Sequence, residues 1–379
     1  MLDYETLKVI WWLLVGVLLL GFAVMDGHDM GVGMLLPFAG RNDVERRVII
    51  NTVGPHWDGN QVWFITAGGA LFAAWPTVYA TAFSGFYVAM LAVLWAMFFR
   101  PVGFDYRSKI ADPRWRRSWD WGLFVGGAVP PLIFGVAIGN LLQGVPFHFD
   151  ADLRSTYTGS FFALLNPFAL VCGVASLAML GFHGANYLAI RTEGEIERRA
   201  RVASLVLGIL LITTFATAGA WLAGGIDGYR ITSVVDPGAL PDPLAKTVVR
   251  APGAWFDNYT HYPATIVLPI LGFAATLLGI VLAQMGKATA AFWSSALAEL
   301  GIIGTVGATM FPFVMPSSSD PTASLTVWDS VSSQRTLWVM FLAVVIFTPL
   351  VVAYTGWCYR VLSGKVTERF VDSNDHSLY

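Results

Sequence analysis

Apolar residues run along this chain in blocks too long for strands and too unbroken for the one-sided helices of a soluble bundle. A helix that crosses the hydrocarbon core of a bilayer needs about 20 largely apolar residues at 1.5 Å rise each. Seven stretches meet that length, near 77–99, 120–142, 160–190, 203–224, 262–285, 290–311 and 336–360. An eighth begins as a short run at 9–25 and continues through Asp26-Gly-His-Asp29 to Leu36, so the pattern predicts one long helix there. A ninth, 48–74, is interrupted by Pro55-His-Trp-Asp-Gly-Asn-Gln61, and hydropathy alone would make it a loop.

Charge decides that ninth case. With nine spans and an external N-terminus, the internal loops 37–47, 100–119, 191–202, 286–289 and the tail from Arg360 hold 17 Lys and Arg. The external loops hold 5, and Lys8 precedes the first span. Membrane insertion favours this excess of basic residues on the cytoplasmic side. Without a span at 48–74, Arg41, Arg46 and Arg47 would fall outside. The expected fold is therefore an all-α integral membrane protein of about nine transmembrane helices, with a periplasmic N-terminus and a cytoplasmic C-terminus. Counting helices divides this single polytopic domain, 1–379, into a first four-helix group (1–143), a second (160–311) and a peripheral helix (336–360), although no internal sequence repeat is evident. The segments 225–261 and 312–335, rich in Pro, Gly, Asp and Ser, read as ordered external caps.

Composition agrees. Charged residues make up 13% of the 379 residues, about half the usual share for a soluble domain, and the mean hydropathy is +0.62. A net charge of -2 leaves no basic face for nucleic acid. Cys172 and Cys358 both lie in apolar runs and supply neither a thiolate metal set nor a disulfide framework, and no metal site is expected. The N-terminus lacks the basic region and cleavage site of a secretory signal, so the first apolar run is expected to stay as a helix.

Against this apolar background a few acids stand out. A charge at bilayer depth costs at least about 2.5–3.5 kcal/mol on insertion scales, so it faces a bundle interior or water. Asp26 and Asp29 share a helix face, about 15 and 10 Å from the cytoplasmic end at helical rise, and Asp58 lies about 12 Å deep on the next span. Three acids at one level, with His56, Asn60 and Gln61 beside them, suit a water-filled proton path open to the cytoplasm. The competing reading is that they only bond helix to helix. Glu299 and His183 sit in the second group, the first a lone acid without a clear role, the second read as a packing histidine. Of six histidines, His28, His56 and His183 fall within spans. His28 with His56 is the single pair at matching depth for haem, and acids surround it.

Taken together, several segments resemble subunit II of the cytochrome bd-type ubiquinol oxidases. They are Gly21-Phe-Ala-Val-Met-Asp26-Gly-His-Asp29-Met-Gly-Val-Gly33, the stretch 51–74 with Pro55-His-Trp-Asp58-Gly-Asn-Gln61-Val-Trp63, and Phe99-Arg100-Pro101 through Lys109. Gly184-Ala-Asn-Tyr187 with Arg191-Thr192, Met310 to Ser318, Leu325-Thr-Val-Trp328-Asp329 with Ser332-Ser333, and His376-Ser-Leu-Tyr379 complete the set. The resemblance runs the whole length and implies a bacterial inner-membrane complex that oxidises quinol, reduces O2 to water and draws protons from the cytoplasm. It implies that haems b and d are held by the homologous subunit I, and that this chain holds no covalent cofactor but in some members a structural ubiquinone. A small single-helix subunit often completes such assemblies. Carried onto these residues, Asp29 and Asp58 become the candidates for the proton path, with Asp26 and His56 in support. Arg100 and Asp120 become supports of the subunit interface and haem environment. Trp57 and Trp63 are candidates for packing on a quinone or on subunit I, with plain internal packing weighed above both. Two positions depart from the family pattern: His28 stands where an aromatic such as Phe is common, and Glu299 where an apolar residue is expected. A different class, a stand-alone proton-coupled transporter, also suits intramembrane acids and broken helices.

Overall fold

The computed structural model describes residues 2–373 and 379. His376, quoted above, lies outside the described residues. The first helix, α1 (Tyr4–Ala39), starts where the Asp3 carboxylate accepts from the Thr6 amide at 2.8 Å and ends at Gly40. It is followed by α2 (Asp43–Val53), α3 (Trp57–Ala74), α4 (Pro76–Gly85), α5 (Tyr87–Tyr106), α6 (Pro113–Gln143), α7 (Pro167–Arg191) and α8 (Gly194–Gly225). The one-turn α9 (Asp257–His261), then α10 (Val267–Gln284), α11 (Ala288–Met310), α12 (Gln334–Val361) and α13 (Glu368–Ser373) complete the order. Among the described residues, eight helices are long and apolar enough to cross a membrane, and the bent pair α3–α4 makes up to nine.

The expected ninth span is real in composition but broken in shape. The predicted run 48–74 is divided by Gly54-Pro55-His56 into α2 and α3, because Pro55 has no amide hydrogen to continue the helical ladder. A second break follows at Trp75, held out of helical geometry (φ -130°, ψ 71°) ahead of Pro76, and α4 leaves α3 at 119°. The predicted span 77–99 is likewise α4 plus α5, parted at Phe86.

Helix α1 is the axis of the fold, packed against α3, α6, α7, α11 and α12. Its closest approach is to α7 at Gly31 and Gly184, where a Cβ on either residue would overlap the other helix's backbone. Gly127 of α6 lies in the same way against the backbone at Met30 and Met34. Lipid supplies no hydrophobic drive between helices, so such small-residue contacts are how spans gain packing energy. Helices α7, α8, α10 and α11 pack on one another, while α12 buries only Leu337 fully among its residues.

The two ends of the bundle differ. Three antiparallel hairpins cap one end: β1 (Phe147–Phe149) with β2 (Ser155–Tyr157), β3 (Gly228–Ile231) with β4 (Val248–Ala251), and β5 (Phe313–Met315) with β6 (Leu325–Thr326). Tyr229, Trp255 and Phe313 join them to the helix ends, and burial raises the Tyr229 hydroxyl to a pKa of about 12. The other end carries α2, α13 and a belt of arginines. There Arg199 binds Glu45 (Nη1 to Oε2, 2.6 Å) and the Ala39 carbonyl (2.5 Å), which fastens α8 to the α1–α2 corner.

The Arg199 hydrogen bond, the largest influence, holds the Glu45 carboxyl below its ordinary value of 4.5. A folded value below the unfolded one stabilises the fold above that ordinary value, and the gain is lost as pH falls through the lowered one. Glu45→Gln should therefore lower the thermal unfolding midpoint in detergent at neutral pH. The gap to the parent protein should close as the pH falls below about 4, the unfolded carboxyl's range.

Candidate functional site

Four of the predicted residues lie buried where α1, α3, α5 and α7 meet, and the structure sorts them into separate constellations. Asp26 takes the Arg100 guanidinium in a two-pronged pair, one prong at 2.9 Å (Nη1 to Oδ2) and the other from Nη2 to Oδ1. Both side chains are almost wholly buried, and the fork geometry matches the carboxylate. The same guanidinium sits 5.6 Å from the Trp57 ring centre, and Trp57 stacks on Phe104 at 5.1 Å. Trp63 sets its ring against Gly21 of α1. Trp57 is buried, while Trp63 is half-buried.

Asp29 lies one turn further along α1. Its Oδ2 accepts from Asn60 Nδ2 at 2.7 Å, while its Oδ1 has no hydrogen-bond partner among the described residues. Around Oδ1 stand His28 Nε2 at 3.3 Å and His56 Nδ1 at 3.5 Å. The outer nitrogens of both rings reach backbone carbonyls: His28 Nδ1 at Val24 (2.8 Å) and His56 Nε2 at Thr52 (3.2 Å), beside the Tyr187 hydroxyl at 2.8 Å. Tyr359, from the peripheral α12, brings its hydroxyl to 2.7 Å from Asn60 Nδ2 and 3.3 Å from His28 Nε2. His28 packs on Tyr187 at 4.1 Å between ring centres and His56 on Tyr359 at 4.8 Å. These rings fill the space around the imidazoles, an arrangement that does not fit a porphyrin.

Asp58 does not join this cluster. It is exposed, with no hydrogen bond or ion pair among the described residues, whereas Asn60, which holds Asp29, is buried. Two residues along a helix amount to about 200° of rotation, so Asp58 and Asn60 occupy opposite faces of α3. The expectation that Asp29 and Asp58 meet in one wet pocket is overturned by this rotation, which hydropathy cannot read. The outward face of α3 continues from Asp58 through Val62, Ile65 and Phe72, all exposed.

Asp120 forms a third constellation at the arginine-rich end. It takes Arg46 Nη1 at 2.7 Å and Arg107 Nε at 2.6 Å, and Arg107 also reaches Asp43 at 3.0 Å. The network ties α2, α6 and the end of α5 together. Further along, His183 Nε2 shares the Val24 carbonyl with His28, at 3.0 Å, and its Nδ1 lies 2.7 Å from Ser295. Glu299 is fully buried 4.0 Å from His183 Nε2, and neither of its oxygens has a hydrogen-bond partner among the described residues. The second-group acid and histidine thus lie beside the first cluster, closer than the division into groups suggested. Tyr359 and Arg46 were not singled out from sequence. Nothing in a peripheral span marks one tyrosine as inward-facing.

A family model described as "Cytochrome bd terminal oxidase subunit II" matches residues 7–362. The chain is 58% identical over 379 residues, all of both chains, to cytochrome bd-I ubiquinol oxidase subunit 2 of Escherichia coli (strain K12). It is 32% identical over 368 residues to cytochrome bd ubiquinol oxidase subunit 2 of Bacillus subtilis (strain 168), covering 96% of this chain and 98% of the relative. Among solved structures, the bd oxidase of Geobacillus thermodenitrificans shares the fold with a TM-score of 0.68, at 12% identity over 99% of this chain and 100% of that one.

Proposed function

The chain belongs to the cytochrome bd terminal oxidase subunit II family, and on that premise we propose that it is the non-haem subunit of a quinol oxidase of the bacterial inner membrane. Its relatives are subunits of an oxidoreductase complex, and it is a multi-pass membrane protein. In the proposed complex, haems b and d belong to a partner, subunit I. This chain supports that partner's haem environment and lets cytoplasmic protons reach it.

One observation carries the proposal: an exposed carboxylate at bilayer depth. Asn60 grips Asp29, ten residues before the end of α1, so the first turn of α3 sits about 15 Å in from that end at helical rise. An acid there cannot face hydrocarbon cheaply. Asp58 and the apolar face beyond it fit a surface covered by another protein, and a carboxylate at such a seam can hand protons to the partner. The Asp26–Arg100 and Asp120–Arg107–Arg46 pairs brace α1, α2, α5 and α6 behind that surface, which suits interface support. The basic belt at the opposite end from the hairpins supports a cytoplasmic C-terminus. The bare α12 offers a surface for a small single-helix subunit.

The test is purification of the tagged chain from its native membranes and, separately, after expression alone. The first preparation should carry a haem-bearing partner and consume oxygen with quinol. The lone chain should show no haem absorption and no oxygen consumption. Proton-coupled solute transport by the lone chain in vesicles would favour the transporter reading instead.

A further inference from the structure

The cluster around Asp29 brings three donor atoms of two histidines and one aspartate together. From the convergence of His28, Asp29 and His56 we propose a buried site for a divalent transition-metal ion of the zinc class. The inference stands apart from the quinol-oxidase reading.

The Val24 carbonyl can only accept, so His28 carries its hydrogen on Nδ1 and keeps a lone pair on Nε2. With the Tyr187 hydroxyl donating to the Thr52 carbonyl, His56 Nε2 donates to the Tyr187 oxygen at 2.8 Å, which leaves Nδ1 a lone pair. Asn60 Nδ2 lies 2.7 Å from both Asp29 Oδ2 and the Tyr359 oxygen and 3.0 Å from His56 Nδ1, so its two amide hydrogens are shared among three acceptors. His56 Nδ1, besides its contact with Asn60, faces Asp29 Oδ1 at 3.5 Å. Two neutral imidazole nitrogens and one unpartnered carboxylate oxygen converge, all within 4.8 Å of one another, and all three residues are buried.

Two of the three separations among these donor atoms match those of a tetrahedral shell. Bonds of about 2.1 Å to a tetrahedral zinc ion place neighbouring ligand atoms about 3.4 Å apart. The two nitrogens stand 3.3 and 3.5 Å from the oxygen. Backbone carbonyls on the far nitrogens are the outer partners that fix a metal-binding histidine's tautomer and angle. The Tyr359 hydroxyl, 3.3 and 3.5 Å from the two nitrogens, is placed as a fourth donor. Imidazole and carboxylate together suit zinc and its first-row neighbours rather than magnesium or calcium. Asp26 is already neutralised by Arg100, which leaves the Asp29 carboxylate free to meet the ion's charge.

The test uses the chain in its native complex, exchanged into micromolar zinc chloride and freed of loose metal by gel filtration. Elemental analysis should find about one zinc ion per chain, and the zinc X-ray absorption edge should report nitrogen and oxygen ligands only. His28→Phe keeps an aromatic ring against Tyr187 and should bring zinc down to background, with an unchanged elution profile. His261→Ala, at an exposed histidine, should leave the stoichiometry intact. Added zinc should raise the unfolding midpoint of the parent protein but not of His28→Phe. Background zinc in the parent, or equal zinc in parent and His28→Phe, would overturn the site. Neither result would touch the oxidase reading, which is scored by haem and oxygen consumption.

Discussion

Replacing Arg100 with alanine should destabilise the chain by about 3–5 kcal/mol, the range found when one partner of a buried ion pair is removed, and deplete haem from the assembled complex. Asp26 lies wholly buried at the α1–α5 contact, and Arg100 supplies both of its charge-assisted hydrogen bonds. Removing the guanidinium strands a carboxylate without water and takes away the cation beside Trp57. Helix α5, which also anchors Arg107 near its end, then loses its tie to α1. Haem per complex, read from absorption spectra against protein, should fall well below the parent value. Arg100→Lys should recover part of it, since an ammonium keeps the charge but not the fork. Normal haem stoichiometry in Arg100→Ala would show that the pair does not support the haem environment.

Asp58→Asn should behave in the opposite way, keeping haem and structure while slowing turnover. Asp58 is exposed and makes no hydrogen bond or ion pair among the described residues, so its neutral isostere should leave the unfolding midpoint nearly unchanged. If it passes protons to the partner, oxygen consumption should fall by about 10- to 100-fold, at or below the low end of what a positioned acid–base group contributes. Full turnover with intact assembly would remove Asp58 from the path. The contrast between the two variants separates bracing from proton delivery.

The spans were legible because bilayer thickness sets the length of an apolar run, and the basic loops were legible because insertion biases them. The breaks at Gly54-Pro55 and Trp75-Pro76 were only half legible. Proline marks the position, but the 119° between α3 and α4 comes from packing. The acids were found by their rarity in apolar surroundings. Their grouping was not, because depth along a helix follows from counting while facing follows from rotation. Asp26, Asp29 and Asp58 share a level and nonetheless have three different surroundings. Tyr359 illustrates the same limit from the other side: its role in the Asp29 cluster depends on where the ninth span docks, which no local pattern encodes. His28 and Glu299, noted as departures from the family pattern, proved to lie on either side of His183 in one buried cluster.

The central claim is that the α3 face bearing Asp58 meets the haem-bearing partner. It is tested most directly with a photo-crosslinking amino acid at Val62, one turn beyond Asp58 on that exposed face, in native membranes. Ile209 of α8 and Leu278 of α10, exposed on other sides of the bundle, serve as comparison positions. A crosslink from Val62 to the haem-carrying subunit is expected, and none from the other two. Capture of that subunit from Ile209 or Leu278 but not from Val62 would contradict it.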